Sequence, residues 1–207
     1  MGGHAGGATA SRLVVEAMQE GLDTDPDPDT RLAHAIRVAN RLVFETARRD
    51  PSLHGMGAAV VATLVDPTAR VVAVVHAGDA RAYRVRDDRL EQLTEDHTLV
   101  QELVRAGHLD PEETETHPQR HVLTRAVGVE PDIDFSSRVD SLEPGDVLLL
   151  TSDGLHGCVT STELIAAAAR AAADAPGACA HLVELGNSRG GPDNLSVVLV
   201  RVGPDQG

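Results

Sequence analysis

The sequence predicts a layered α+β domain, with helices packed on antiparallel sheets. Three observations carry that class. Helical periodicity governs the first fifty residues, where Leu32, Ile36, Ala39 and Val43 recur at the spacing of one helical face. From residue 58 the period changes to two, in short runs rich in Val and bounded by turn residues. Past residue 160 two helical stretches return, and a last strand-like run, "NLSVVLVRV", follows them.

Each element has a local cause. The opening "MGGHAGG" reads as a glycine loop, and "TASRLVVEAMQEG", Thr9 to Gly21, as a helix starting from it. "DTDPDPD" breaks that helix, and its acidic run reads as a solvated linker. A second helix is expected from Thr30 to about Arg49. After "DPSLHGMG" come "AAVVATLVD", "VVAVVHAGD", "ARAYRVR" and "RLEQL", which predict an antiparallel meander. Pro67–Arg70 and Asp87-Asp88 are its hairpin connections. A helix around Leu99–Ala106 leads into a polar loop that ends near Arg120. Strands return near Phe135–Val139 and Asp146–Thr151, joined through "EPGD". "STELIAAAARAAADA" and "ACAHLVELGNSRG" predict two helices, the first with the highest propensity available.

Composition narrows the function. A length of 207 residues suits one domain, taken as residues 1–207. Hydrophobic residues make up 42%, yet the aromatics are only Phe44, Tyr83 and Phe135, so the core must be Val, Leu, Ile and Ala. All 18 basic residues are Arg, which excludes a lysine Schiff base and a Walker lysine. A formal charge of −14 argues against a nucleic-acid surface and suits a cation site or plain solubility. Cys158 and Cys179 follow no metal or disulfide pattern and read as reduced thiols. No apolar run reaches the length of a membrane span, and no signal peptide opens the chain, so the cytoplasm is expected.

Three motifs place an Asp where a strand ends or begins: Asp79 in "HAGDARAY", Asp153 in "LLLTSDGL" and Asp193 in "GGPDNLSVVLV". Strand ends meet at a sheet edge, so acids distant in sequence converge there. Clustered carboxylates repel unless a cation sits between them, and oxygen ligands suit Mg²⁺ or Mn²⁺. Any one of these Asp residues alone is equally a turn or cap residue. Their shared setting of glycines and buried strands favours a common site. Other chemistries find less support. His117 and His121 are four apart, as in a helical zinc pair, but Pro118 disfavours helix at His117. "GMG" at 55–57 is too short for a nucleotide loop, and no Gly-x-Ser-x-Gly elbow is present.

In order and wording, "MGGHAGG", "GMGAAVVATL", "HAGDARAYRVRDDRLEQLTEDHTLVQELVRAG", "HPQRHVLTRAVG", "LLLTSDGL" and "GGPDNLSVVLV" resemble the metal-dependent protein phosphatases. These are the PPM family of type 2C serine/threonine phosphatases, and the bacterial stand-alone branch is the match. The resemblance runs over nearly the whole chain. It implies an α/β/β/α sandwich of two antiparallel sheets flanked by helices. It implies hydrolysis of phosphoserine and phosphothreonine in proteins by a water activated on two or three Mn²⁺ or Mg²⁺ ions. By the same resemblance, Asp153 and Asp193 are ligands of one ion, and Asp79 with Asp153 holds a further, weaker one. Asn194 hydrogen-bonds near those ligands, and His4 donates a proton to the leaving serine oxygen. Residues from about Asp96 to Arg120 match a mobile flap. The implied partners are phosphoproteins, the targets of a serine/threonine kinase; no nucleic acid and no membrane are expected, and the chain is expected to be a monomer.

In the family the opening loop reads Asp-Gly-Met-Gly-Gly-His. Its Asp bridges two ions, and the carbonyl of the next Gly ligates one. The sequence in hand begins at the Met. The sandwich is therefore expected to lack its first strands, and these 207 residues to hydrolyse poorly. Either the natural chain begins upstream, which the retained acids favour, or a truncation has left a non-catalytic regulatory or binding module on the same fold.

Overall fold

Capping residues set most of the helix starts. The computed structural model describes residues 3–22, 24–191 and 193–203, with side chains from residue 6 onward. Helix α1 (Gly3–Glu20) is followed by α2 (Pro28–Arg49), where the Asp27 carboxylate accepts the Thr30 N–H at 3.0 Å and Pro28 occupies the first turn. Strands β1 (Val60–Asp66), β2 (Val71–Ala77), β3 (Arg81–Arg86) and β4 (Arg89–Gln92) come next. Thr98 caps α3 (Leu99–Arg105), which precedes β5 (Ser136–Ser141), β6 (Val147–Thr151) and the one-turn α4 (Asp153–His156). Thr160 and Glu163 form a capping box for α5 (Ser161–Ala171), and Asp174 caps α6 (Ala175–Ser188) ahead of β7 (Val197–Arg201).

The chain divides into two compact units. The first comprises residues 1–66, 72–79 and 95–139. Its core joins Val14, Leu32, Ile36 and Val43 of the two long helices to Ala73, Val75 and Ala77 of β2. The sheet has the order β1-β2-β5. Buried Asn40 ties α2 to the 128–131 segment: its Nδ2 donates to the Glu130 carbonyl at 3.0 Å, and its Oδ1 accepts the Gly128 N–H at 2.7 Å. The second unit comprises residues 67–71, 80–94 and 140–207. Its sheet has the order β4-β3-β6-β7, antiparallel throughout, with Tyr83 opposite Leu149 and Leu149 opposite Leu199. Leu155, Leu164, Ala167 and Leu182 of the helices pack against that face. The expected class, α+β with two antiparallel sheets and helices on them, is the one observed.

Three expectations are corrected. The opening glycines do not form a loop, because α1 already runs at Gly3 and Gly6 faces the Met56 side chain. The four strands from 60 to 92 do not make one meander, because β2 and β3 belong to different sheets. Gly78 turns the chain between them at φ +106°, where a side-chain Cβ would stand 2.6 Å from the Ala59 Cβ. The polar loop after α3 contains a 3₁₀ turn, Pro111–Thr116, closed by an Asp110–Glu113 capping box. Asp87 and Asp88 form the expected two-residue hairpin, both at positive φ.

An ion pair in the second unit holds a buried carboxylate. Asp146 is 1% exposed and accepts from Arg86 Nε at 2.7 Å, Arg86 Nη2 at 2.6 Å and the Glu143 N–H at 2.8 Å. Burial alone would push its carboxyl up; the Arg86 and Glu143 hydrogen bonds outweigh that and hold it below its ordinary value. Substituting Arg86→Leu strands this carboxylate, so urea unfolding should show a loss of about 3 kcal/mol. Breaking the exposed Arg12–Glu16 pair with Arg12→Leu should cost less than about 0.5 kcal/mol in the same measurement.

Candidate functional site

The end of β6 is laced to the segment that enters β7. The Ser152 N–H donates to the Ser196 carbonyl at 3.1 Å, and the Ser196 N–H donates to Ser152 Oγ at 3.0 Å. The Ser152 hydroxyl donates in turn to the Asn194 carbonyl at 3.0 Å. Asp153 then opens α4, and its Oδ1 accepts the Gly154 N–H at 2.8 Å. Across from it, Asp193 Oδ1 accepts the Asn194 N–H at 2.7 Å. Gly154 is where the two segments touch: a Cβ there would stand 2.6 Å from the Asn194 carbonyl oxygen and 3.2 Å from the Asp193 Cβ. The lacing thus brings Asp193 beside the residue that follows Asp153.

Asp153 is half-buried, Asp193 is exposed, and neither has a basic partner among the described residues. Each spends one carboxylate oxygen on a backbone N–H and keeps the other. That donor set fits a hard divalent cation, which Mg²⁺-type coordination satisfies with one or two carboxylates plus water. Among the described residues no three His, Cys, Asp or Glu side chains are grouped closely enough to hold an ion alone. Asn194 lies between Asp193 and Ser152 and bonds to both. His4 stands in the first turn of α1, and its side chain lies outside the described residues.

Asp79 belongs to the first unit, half-buried just past the end of β2. A network that sequence reasoning missed surrounds the residue before it. The His97 N–H donates to the Gly78 carbonyl at 2.9 Å, and the Gly78 N–H donates to His97 Nδ1 at 3.3 Å. The His97 ring stacks on His76 with centroids 4.4 Å apart and planes 15° apart, and both residues are buried. His76 Nε2 lies 2.8 Å from the Glu95 carbonyl, and His97 Nε2 lies 3.0 Å from Ser136 Oγ and 3.2 Å from Arg125 Nη1. Arg125 is paired with Asp134 at 3.1 Å. Burial pushes both imidazoles down. His97 falls to about 4, with His76 and Arg125 adding to the effect. The only sequence signal was the pair of histidines in "HAGD" and "TEDHT", of which periodicity put the first in a strand and the family resemblance matched the second to a flap. His117 and His121 form no helical pair: the 3₁₀ turn ends at Thr116, and His117 Nδ1 accepts the Gln119 N–H at 3.1 Å.

No protein-family model matches the sequence. Over 207 residues the chain is 39% identical to the serine/threonine protein phosphatase PstP of Mycobacterium tuberculosis, covering 98% of this chain and 39% of that protein. It is 35% identical to the serine/threonine phosphatase stp of Listeria welshimeri, covering 97% of this chain and 81% of that one. The chain belongs to the bacterial serine/threonine protein phosphatases of the PPM family. The crystal structure of the M. tuberculosis phosphatase PstP/Ppp matches at TM-score 0.89 with 35% identity, over 99% of this chain and 86% of that one. The PstP catalytic domain in complex with two manganese ions matches at 0.86 with 33% identity, over 99% and 85%. This PPM-family chain thus spans most of the Listeria phosphatase but about two-fifths of the mycobacterial protein's length. Among its described residues no helix is long and apolar enough to cross a membrane.

Two outcomes follow from the geometry of this PPM-family site. Gly154→Ala forces its Cβ into the Asn194 carbonyl; thermal unfolding should show a loss of about 1–3 kcal/mol. The second outcome concerns pH. In the unfolded chain each imidazole titrates near 6.5, whereas in the fold both bind protons less readily, His97 only near 4. The unfolded state therefore takes up more protons as pH falls. The stability carried by the neutral rings is whole above pH 6.5 and drains away as pH drops toward 4. Urea midpoints measured across that window should fall with pH, and less steeply in His97→Asn.

Proposed function

We propose that this chain hydrolyses phosphoserine and phosphothreonine in proteins, at a Mn²⁺ or Mg²⁺ centre to which Asp153, Asp193 and Asp79 contribute. The observation that carries this reading is that Asp193 lies beside Gly154, the residue after Asp153, and that neither acid has a basic partner among the described residues. The sequence likeness to named serine/threonine phosphatases, one of them solved with two manganese ions, supports the same chemistry. When bound, the ions lower the pKa of water to give a nucleophile and offset charge on the phosphoryl oxygens.

The chain's own residues do the rest. Asp153 and Asp193 would hold one ion, and Asp79 with Asp153 a further one. Asn194 fixes the Asp193 carboxylate through its backbone N–H. His4 protonates the departing serine or threonine oxygen. The substrates are phosphoproteins made by a serine/threonine kinase, and the chain acts as a monomer in the cytoplasm, where Cys158 and Cys179 stay free thiols. A net charge of −14 disfavours polyanions such as nucleic acid.

These 207 residues, in which no Asp-Gly precedes the opening Met-Gly-Gly-His, are expected to turn over slowly, and a polypeptide with Asp-Gly and the family context added before Met1 to turn over faster. Phosphopeptide hydrolysis should require added Mn²⁺ and stop with chelator. Asp153→Asn and Asp193→Asn should each lower the rate about a hundredfold or more, with circular dichroism unchanged. Turnover that survives chelation, or survives Asp153→Asn, refutes the reading. Phosphopeptide binding without hydrolysis in either polypeptide would favour a regulatory module instead.

A further inference from the structure

We propose that His97 is a positioning residue for Asp79, holding the Gly78–Asp79 turn in the shape in which Asp79 meets its ion; the role rests on the reading above that Asp79 is a ligand. The stretch "TEDHT" has no part in the site described so far, yet His97 grips Gly78 from both sides. Its N–H binds the Gly78 carbonyl, and its ring Nδ1 takes the Gly78 N–H. Both peptide groups that flank Gly78 are thus bound to one residue, and Asp79 is attached to the second of them.

A clamp is needed there. Gly78 sits at φ +106°, a conformation that glycine enters freely and leaves as freely. The clamp is itself oriented. The ring is stacked on His76, and His76 is fixed by the Glu95 carbonyl. A neutral imidazole has one acceptor nitrogen. Since Nδ1 accepts from Gly78, the neutral ring carries its proton on Nε2, 3.0 Å from Ser136 Oγ, and Arg125 Nη1 beside it is a charge contact and not a hydrogen bond. A proton added at Nδ1 would face the Gly78 N–H and break the grip. The charged groups around the stack are Arg125, Arg105, Asp134, Asp96 and Glu95. Arg125, directly beside Nε2, opposes further charge on the ring.

The test uses the full 207-residue chain with two substitutions at the same position. In His97→Asn the side-chain oxygen replaces Nδ1 as acceptor. In His97→Gln the amide reaches toward Nε2 and leaves the Gly78 N–H unpaired. Asp79→Asn is the control for the ligand itself. Metal-free protein is followed by amide hydrogen exchange at Gly78, and Mn²⁺ alone is titrated by electron paramagnetic resonance. Exchange at Gly78 should quicken about tenfold or more in His97→Gln and stay near wild type in His97→Asn. Mn²⁺ affinity should fall about tenfold in both His97→Gln and Asp79→Asn, and recover in His97→Asn. Wild-type exchange in His97→Gln overturns the proposal. So does wild-type Mn²⁺ affinity in His97→Gln when Asp79→Asn weakens binding. If Asp79→Asn leaves Mn²⁺ affinity unchanged, Asp79 is not a ligand, and the positioning role falls with that reading.

Discussion

The contact between the end of β6 and the 193–196 segment is the constraint on which the candidate site depends. Three hydrogen bonds through Ser152 fix the height of the incoming strand, and the bare Cα of Gly154 sets how near it can come. Any side chain at 154 would occupy the volume of the Asn194 carbonyl. With glycine there, residues forty positions apart share one strand end. The register of β7 on β6 continues from this point, with Thr151 opposite Val197 and Val147 opposite Arg201. One close approach thus aligns both the acids and the strand pair behind them.

The acids of this chain are held in two electrostatic regimes. Asp146 is buried and its charge is met by Arg86 and the Glu143 N–H, because an unpaired interior carboxylate costs several kcal/mol. Asp153 and Asp193 are open enough for water to carry their charge, and among the described residues no guanidinium pairs with them. That difference separates a structural acid from one available to a cation. It also explains why a count of 32 acidic residues says little by itself. The informative quantity is which carboxylates the fold leaves without a basic partner.

Much of this was legible in the sequence. Periodicity located the helices and strands, since one buried face per element is a strong local requirement. Asp153 stands out in the sequence because Gly154 and the buried strand β6 flank it, and Asp193 because Gly190 and Gly191 precede it and the apolar run of β7 follows. The missed features have physical causes. Periodicity reports that a run is extended, not which neighbour it pairs with, so β2 and β3 read as one hairpin although Gly78 sends them to different sheets. Glycines at the start of α1 looked like a loop because propensity disfavours them, yet Gly6 lies against Met56, where little room is left for a side chain. The buried histidine stack was invisible because its two members lie 21 positions apart and neither falls on a periodic polar face.

Asp79 and Asp153 show two solutions to one problem, the presentation of a carboxylate at the end of a buried strand. At Asp153 the glycine follows the acid, and its role is to let a second segment approach. The acid itself opens a helical turn, whose geometry is set by the Ser152 carbonyl accepting from Leu155 and His156. At Asp79 the glycine precedes the acid, and its role is conformational: a left-handed turn that an L side chain would strain. A helix turn carries its own hydrogen bonds along the chain. At the Gly78 turn both peptide units are bound by the backbone and ring of His97, a residue from a distant part of the sequence.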